Sequence, residues 1–268
     1  MTDWDDAYAN RAYIEDGESY PDRWADEARE WREVEHAIGR ARLNISYGAG
    51  AREVLDLFLP AGRPVGVVVF VHGGYWRDFD KSFWSHLAAG ATARDWAVAM
   101  PSYTLAPDAR ISEITAKIAR AVHKAAELVA GPIILSGHSA GGHLVARMLC
   151  QDIVLSEDVS RRLQRVVAIS PLSDLRPLLK TTMNEDFQMD AAEAAAESPV
   201  LETHPRDVPV TVWVGGDERP AFLDQAQWLA DAWPRAEVVV APGLHHFNVI
   251  EGLADPESSL TNALFALA

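Results

Sequence analysis

Seven short apolar runs punctuate this chain, and their spacing constrains the fold more than any other feature. They are "VLDLFL" (54–59), "VGVVVFV" (65–71), "WAVAM" (96–100), "PIILS" (132–136), "RVVAIS" (165–170), "VPVTVWV" (208–214) and "AEVVV" (236–240). The first alternates, as an antiparallel or edge strand does. The later ones are nearly continuous, which suits a parallel sheet covered on both faces. Helical patterns lie between them, over 81–94, 111–130, 140–151, 220–233 and from about 256. This alternation predicts the α/β class, with a mostly parallel central sheet, right-handed crossovers and helices on both faces. Two segments break the rhythm. Residues 1–45 hold an amphipathic stretch, "PDRWADEAREWREVEHAIGRAR", and residues 174–207 read as a helical insertion between two strands. Both are expected to form a small helical cap, because inserted segments near strand ends often cover a site.

The chain has 268 residues with no internal repeat or long low-complexity linker, so 1–268 reads as a single domain. Hydrophobic residues make up 49% and the formal net charge is −15. Such a field repels nucleic acid and anionic lipid, so neither is expected as a partner. The expected partner is a small-molecule substrate, and pairing into a homodimer is left open. No run approaches the roughly 18 consecutive apolar residues of a membrane span. The acidic, polar N-terminus has no signal-peptide pattern, which makes the cytoplasm the expected location. The one cysteine, Cys150, excludes an intramolecular disulfide and reads as a buried, inert thiol.

The chemistry centres on "LSGHSAGGHLVARML" (135–149). Here a strand end meets a G-x-S-x-G turn and then a helix. That context strains the turn and lifts the Ser139 hydroxyl above the sheet edge, beside the positive end of a helix dipole. A serine hydroxyl is a weak nucleophile. It needs a base to take its proton and an acid to orient that base. In this arrangement the chain order is serine, acid, histidine. The loop "APGLHHFNVIE" follows the run 236–240 and offers His245 and His246 as bases, whereas His204 lies on the wrong side of a strand. "VPVTVWVGGDERP" ends a strand with Asp217 and Glu218, of which Asp217 is the preferred acid. Asp174, the alternative, fits better as a cap of the insertion's first helix. "VVVFVHGGYW" runs from a strand into His72, Gly73 and Gly74. Backbone N–H groups from Gly73, Gly74 or Tyr75, with that of Ala140, would form an oxyanion hole.

"HGGYW", "GHSAGGHL", an acid after a "VGG" strand end and a late "HF" together resemble the kynurenine formamidase (arylformamidase) family of serine hydrolases. That family sits in the hormone-sensitive-lipase-like group of α/β hydrolases. "LDLFLP" (55–60), "SYTLAP" (102–107) and "DLRPLL" (174–179) extend the resemblance over about residues 45–250. It implies the α/β-hydrolase fold and hydrolysis of N-formyl-kynurenine to kynurenine and formate. It also implies that the histidine before phenylalanine, His246, is the base, with Ser139 as nucleophile and Asp217 as the orienting acid. No metal or organic cofactor is implied. The histidines of the chain form no H-E-x-x-H or Cys/His cluster.

Tyr75, Trp76, Tyr103 and His245 are candidate pocket residues, able to constrict the acyl site or stack on an anilide ring. Arg77 and Asp78 are candidates for holding a substrate head group. Phe79, Phe83 and Trp84 are expected to bury against the cap. A broad short-chain carboxylesterase or arylamidase would use the same residues and differ only in pocket shape. A catalytically silent receptor on this fold is a remote third reading, because none of the expected catalytic parts is missing.

Overall fold

A computed structural model describes residues 2–266, so residue 1 of the expected cap and residues 267–268 of the C-terminal stretch lie outside the described residues. Eight strands form one sheet: β1 (Ala41–Ser46), β2 (Val54–Phe58), β3 (Val67–Val71), β4 (Ala97–Pro101), β5 (Ile133–His138), β6 (Leu163–Ile169), β7 (Val210–Gly215) and β8 (Ala236–Ala241). Their order is β1-β2-β4-β3-β5-β6-β7-β8. β2 pairs antiparallel with β1 and β4, and all later pairs are parallel. This is the α/β-hydrolase fold, with helices packed on both faces.

The near-continuous apolar runs are explained by burial on two sides. In β3, Val67, Val69 and Val71 join one core cluster while Val68 and Phe70 join the other. Each of the seven expected strands is present within three residues of its anticipated ends. β1 is the strand the apolar pattern misses. Its sequence, "ARLNIS", exposes Arg42, Asn44 and Ser46 and lies at the sheet edge, so it carries few apolar residues. The amphipathic helix therefore stops at Ala37 rather than running on, and Gly39, at φ 75°, reverses the chain into β1.

Helices Ile111–Leu128, Ala140–Arg147 and Pro220–Ala232 lie where the periodicity puts them. The expected helix over 81–94 is instead two 3-10 turns, Lys81–Phe83 and Ser85–Ala88, and one short helix, Ala89–Thr92. Asp80 caps the first turn by accepting from Ser82 N at 2.7 Å.

Two segments lie over the C-terminal ends of the strands. The N-terminal one holds Trp4–Ala7, the turn Arg11–Tyr13 and the helix Tyr20–Ala37. It is tied down by Asp6, which pairs with Arg219 at 2.7 Å, and by Asp5, whose Oδ1 accepts from Thr182 N at 2.7 Å. Gln225 donates to the Tyr8 hydroxyl at 2.9 Å. The insertion 174–207 is helical as expected, in the short pieces Arg176–Lys180, Asn184–Phe187, Ala191–Ala196 and Pro199–Leu201. Its anchor is Glu197, buried against Arg147 at 3.1 Å, with Thr115 donating to the same carboxylate at 2.6 Å.

Removing one partner of this buried pair leaves an uncompensated charge. Arg147→Met is therefore expected to destabilise the fold by about 3–5 kcal/mol in urea titrations. The double variant Arg147→Met/Glu197→Leu should regain most of the loss.

No helix among the described residues is long and apolar enough to cross a membrane.

Candidate active site

The turn between β5 and the helix Ala140–Arg147 is built by its glycines. A Cβ on Gly141 would lie 1.9 Å from Val71 O, and one on Gly137 would lie 2.3 Å from Gly141 O. Only hydrogen at these positions lets helix and strands approach so closely. Ser139 takes φ 55° and ψ −116°, a strained conformation for a non-glycine residue. Its N–H donates to Ile169 O at 2.8 Å, which pins the turn to β6. The side chain then faces a cavity of about 510 Å³, lined also by Gly73, Gly74, Tyr75, His138 and His246.

His246 lies in the loop after β8. Its Nδ1–H donates to Glu218 Oε2 at 2.6 Å, which in the neutral ring puts the lone pair on Nε2, where it can accept a proton. Glu218 is fully engaged: Oε1 accepts from Ser170 Oγ at 2.5 Å and from Gly215 N at 2.8 Å. No hydrogen bond joins Ser139 Oγ to His246 among the described residues. Such contacts are often long before substrate binds.

The acid preferred from sequence, Asp217, is not the one that meets His246. Its amide donates to Leu244 O at 3.0 Å, and its side chain is exposed. The chain turns after β7, with Glu218 N donating to Gly215 O at 3.3 Å, and it is the next residue that points inward. Gly215 permits this, because a Cβ there would lie 2.2 Å from Leu244 O. Asp174 is held by Arg176 at 2.7 Å, and His204 lines a separate cavity.

The "HGGYW" loop is strained at Tyr75 and Trp76, which have positive φ, as Phe79 does just beyond it; Gly74 takes a positive φ at no steric cost. The His72 ring donates from Nδ1 to Gly73 O at 2.7 Å. In a trans peptide the N–H opposes the carbonyl, so the Gly74 N–H points away from His72. Ala140 N belongs to the first turn of its helix, where amides have no intrahelical acceptor. Burial keeps His72 neutral, with its pKa lowered to about 4.

Three of the candidate pocket residues have other roles. The left-handed backbone turns Trp76 into the core, where its ring meets His143 and Phe187 edge-on at 5.1 and 5.5 Å. Tyr103 stacks on His72 at 4.4 Å and donates to His72 O at 3.0 Å, so it supports the loop from beneath. His245 accepts from Phe247 N and Asn248 N, and its Nε2–H donates to the Tyr20 hydroxyl at 3.1 Å. It locks the N-terminal helix to the loop rather than lining the cavity. His245→Ala is expected to lower kcat by less than about tenfold, as the loss of a peripheral tie does; steady-state kinetics check it.

Tyr75, Arg77, Asp78, Phe79 and Trp84 do line the cavity. So does a set that sequence reasoning missed: Asp5, Tyr8, Asn10, Arg11 and Glu18 from the N-terminal segment, with Trp24 from its helix. Trp24 packs on Trp84 at 4.6 Å and on Phe247 at 5.2 Å, so one wall is aromatic. The rings of His138 and His246 lie 4.6 Å apart. Burial lowers the pKa of His138 well below the usual imidazole value, so it presents no charge to its neighbour.

Comparisons with known proteins bear on the family and the fold. A family model described as the alpha/beta hydrolase fold matches residues 68–241. The kynurenine formamidase of Danio rerio is 28% identical over 246 residues, covering 86% of this chain and 83% of the relative. That of Drosophila melanogaster is 25% identical, covering 87% and 83%. A crystal structure from Silicibacter sp. tm1040, described as that of a candidate thioesterase, is 62% identical with a TM-score of 0.96, over 99% of this chain and 100% of the other. Esterase B of Lactobacillus rhamnosis shares the fold, with a TM-score of 0.66 at 19% identity over 90% and 89%. This chain belongs to the α/β-hydrolase fold family, as a hydrolase similar over most of its length to the kynurenine formamidases.

Proposed function

We propose that the chain is a serine hydrolase that cleaves aryl formamides, of which N-formyl-kynurenine is the leading candidate. The observation that carries this reading is the Glu218–His246 hydrogen bond at 2.6 Å, in the wall of the cavity that also holds Ser139. Ser139 Oγ attacks the formyl carbon while His246 Nε2 takes the hydroxyl proton. Glu218 stabilises the resulting imidazolium and fixes its tautomer. Negative charge develops on the formyl oxygen, to which the N–H groups of Gly74, Ala140 and Gly73 are available to donate hydrogen bonds. Losing one such donor typically costs about 2.7–4 kcal/mol of transition-state stabilisation. His246 then returns the proton to the departing amine nitrogen, leaving formyl-Ser139. Water attacks that ester, again giving its proton to His246, and formate departs as Ser139 regains its hydrogen.

The aromatic wall of Trp24, Phe79, Trp84 and Phe247 suits an aryl leaving group. Similarity to kynurenine formamidases supports the substrate class. Purified enzyme should release formate and kynurenine from N-formyl-kynurenine in equal amounts, and a Ser139→Ala preparation should not. Absence of formate release from the intact enzyme would reject the formamide reading.

A second reading, hydrolysis of short-chain esters or thioesters, is favoured by the 62% identical structure described as a candidate thioesterase. The same residues would serve it.

A further inference from the structure

Asn10 stands out in the cavity wall. It is 7% exposed, and its Oδ1 has no hydrogen-bond partner among the described residues. The orientation of its amide follows from its neighbours. Tyr75 spends its only proton on Tyr8 O, at 2.6 Å. The Tyr75 oxygen can therefore only accept, and Asn10, 3.5 Å away, must present Nδ2 to it. Oδ1 is left as a buried acceptor without a donor, an arrangement that is rare in folded proteins.

The nearby cations do not meet it. Arg11 pairs with Glu18 at 3.3 Å and Arg77 with Asp186 at 2.8 Å. The remaining polar groups that the N-terminal segment brings to the cavity include the carboxylates of Asp5 and Glu18, which are acceptors. No protein donor among the described residues meets Asn10 Oδ1, so a ligand N–H is free to supply one.

We propose that Asn10 is a specificity-determining residue whose Oδ1 accepts a hydrogen bond from an N–H of the substrate's amine portion. It would favour amides of nitrogen bases over oxygen esters with the same acyl group. This rests on the formamidase reading and deepens it. Two N–H groups have the right chemistry: the scissile anilide N–H, and an ammonium on the leaving group's side chain. A site whose buried acceptor is left unpaired by the wrong substrate discriminates strongly against it.

The test uses the full chain, with kcat/KM measured for formanilide, phenyl formate and N-formyl-kynurenine, each corrected for the uncatalysed rate. Asn10→Leu removes the acceptor, while Asn10→Asp keeps an acceptor oxygen of the same reach. If the scissile N–H is the donor, the formanilide to phenyl formate ratio falls about 10- to 100-fold in Asn10→Leu and is largely kept in Asn10→Asp. If the ammonium is the donor, the ratio of N-formyl-kynurenine to formanilide falls by that amount instead. Parallel losses on all three substrates, with both ratios unchanged, would overturn the proposal and make Asn10 a structural prop for Tyr75. A wild-type enzyme inactive on both formamides would reject the formamidase reading and this inference with it. Wild-type activity with invariant ratios rejects this inference alone.

Discussion

Glu218→Gln is expected to lower kcat about 10⁴-fold, and Ser139→Ala about 10⁶-fold, with KM little changed. Glutamine keeps the size of Glu218 but not its charge. It can no longer hold His246 in the tautomer whose Nε2 is free, nor stabilise the imidazolium. Asp217→Asn should stay within about threefold of the parent, because an exposed carboxylate turned to solvent exerts a well-screened field. The paired comparison is decisive, since the two acids are adjacent in sequence and only one touches the histidine. A large loss in Asp217→Asn with an active Glu218→Gln would show that the turn after β7 is arranged differently in the working enzyme. His246→Ala should fall with Ser139→Ala, since the two act as a unit.

Stability is expected to fall steeply below about pH 6.5. His72 and His86 have pKa values lowered to about 4, His143 to about 3, and His138 lies well below the usual value. The leading cause in each is burial, which disfavours the charged ring. The unfolded chain titrates these groups near their ordinary value of about 6.5. Below that pH it binds protons that the fold refuses, so acid favours unfolding. Each group contributes up to about 1.4 kcal/mol per pH unit between its two pKa values. Over two pH units His72, His86 and His143 together reach the stability range of a typical domain, and His138 acts in the same direction. Urea midpoints should be flat from pH 8 to 7 and drop continuously from 6.5 to 4.5. A midpoint unchanged at pH 5 would mean that these rings take up protons without unfolding.

Much of this architecture is legible in the sequence because apolar runs report burial directly. Strands covered on both faces, such as "VGVVVFV", announce themselves. β1 does not, because an edge strand with one polar face has a composition close to that of a loop. That Ser139 and His246 come to one cavity can be read from a glycine-flanked turn and a late histidine, both at strand ends. Which of Asp217 and Glu218 turns inward depends on a four-residue turn and on Gly215's approach to Leu244, neither of which local composition reveals. The fate of Trp76 rests on positive φ at two non-glycine residues, a strained choice that no propensity favours. Asn10 and Glu18 reach the cavity only through long-range packing. A signal did exist: Trp4, Tyr8, Tyr13, Tyr20 and Trp24 put five aromatic side chains in a short acidic stretch, the mark of a surface that must dock.

The most direct test of the account is the ratio of kcat/KM for N-formyl-kynurenine to that for p-nitrophenyl acetate, with Ser139→Ala as control. A formamide preference of several orders of magnitude, lost on both substrates in the variant, is the predicted result. Efficient ester cleavage with scarcely any turnover of the formamide would contradict it and leave an esterase built on the same residues.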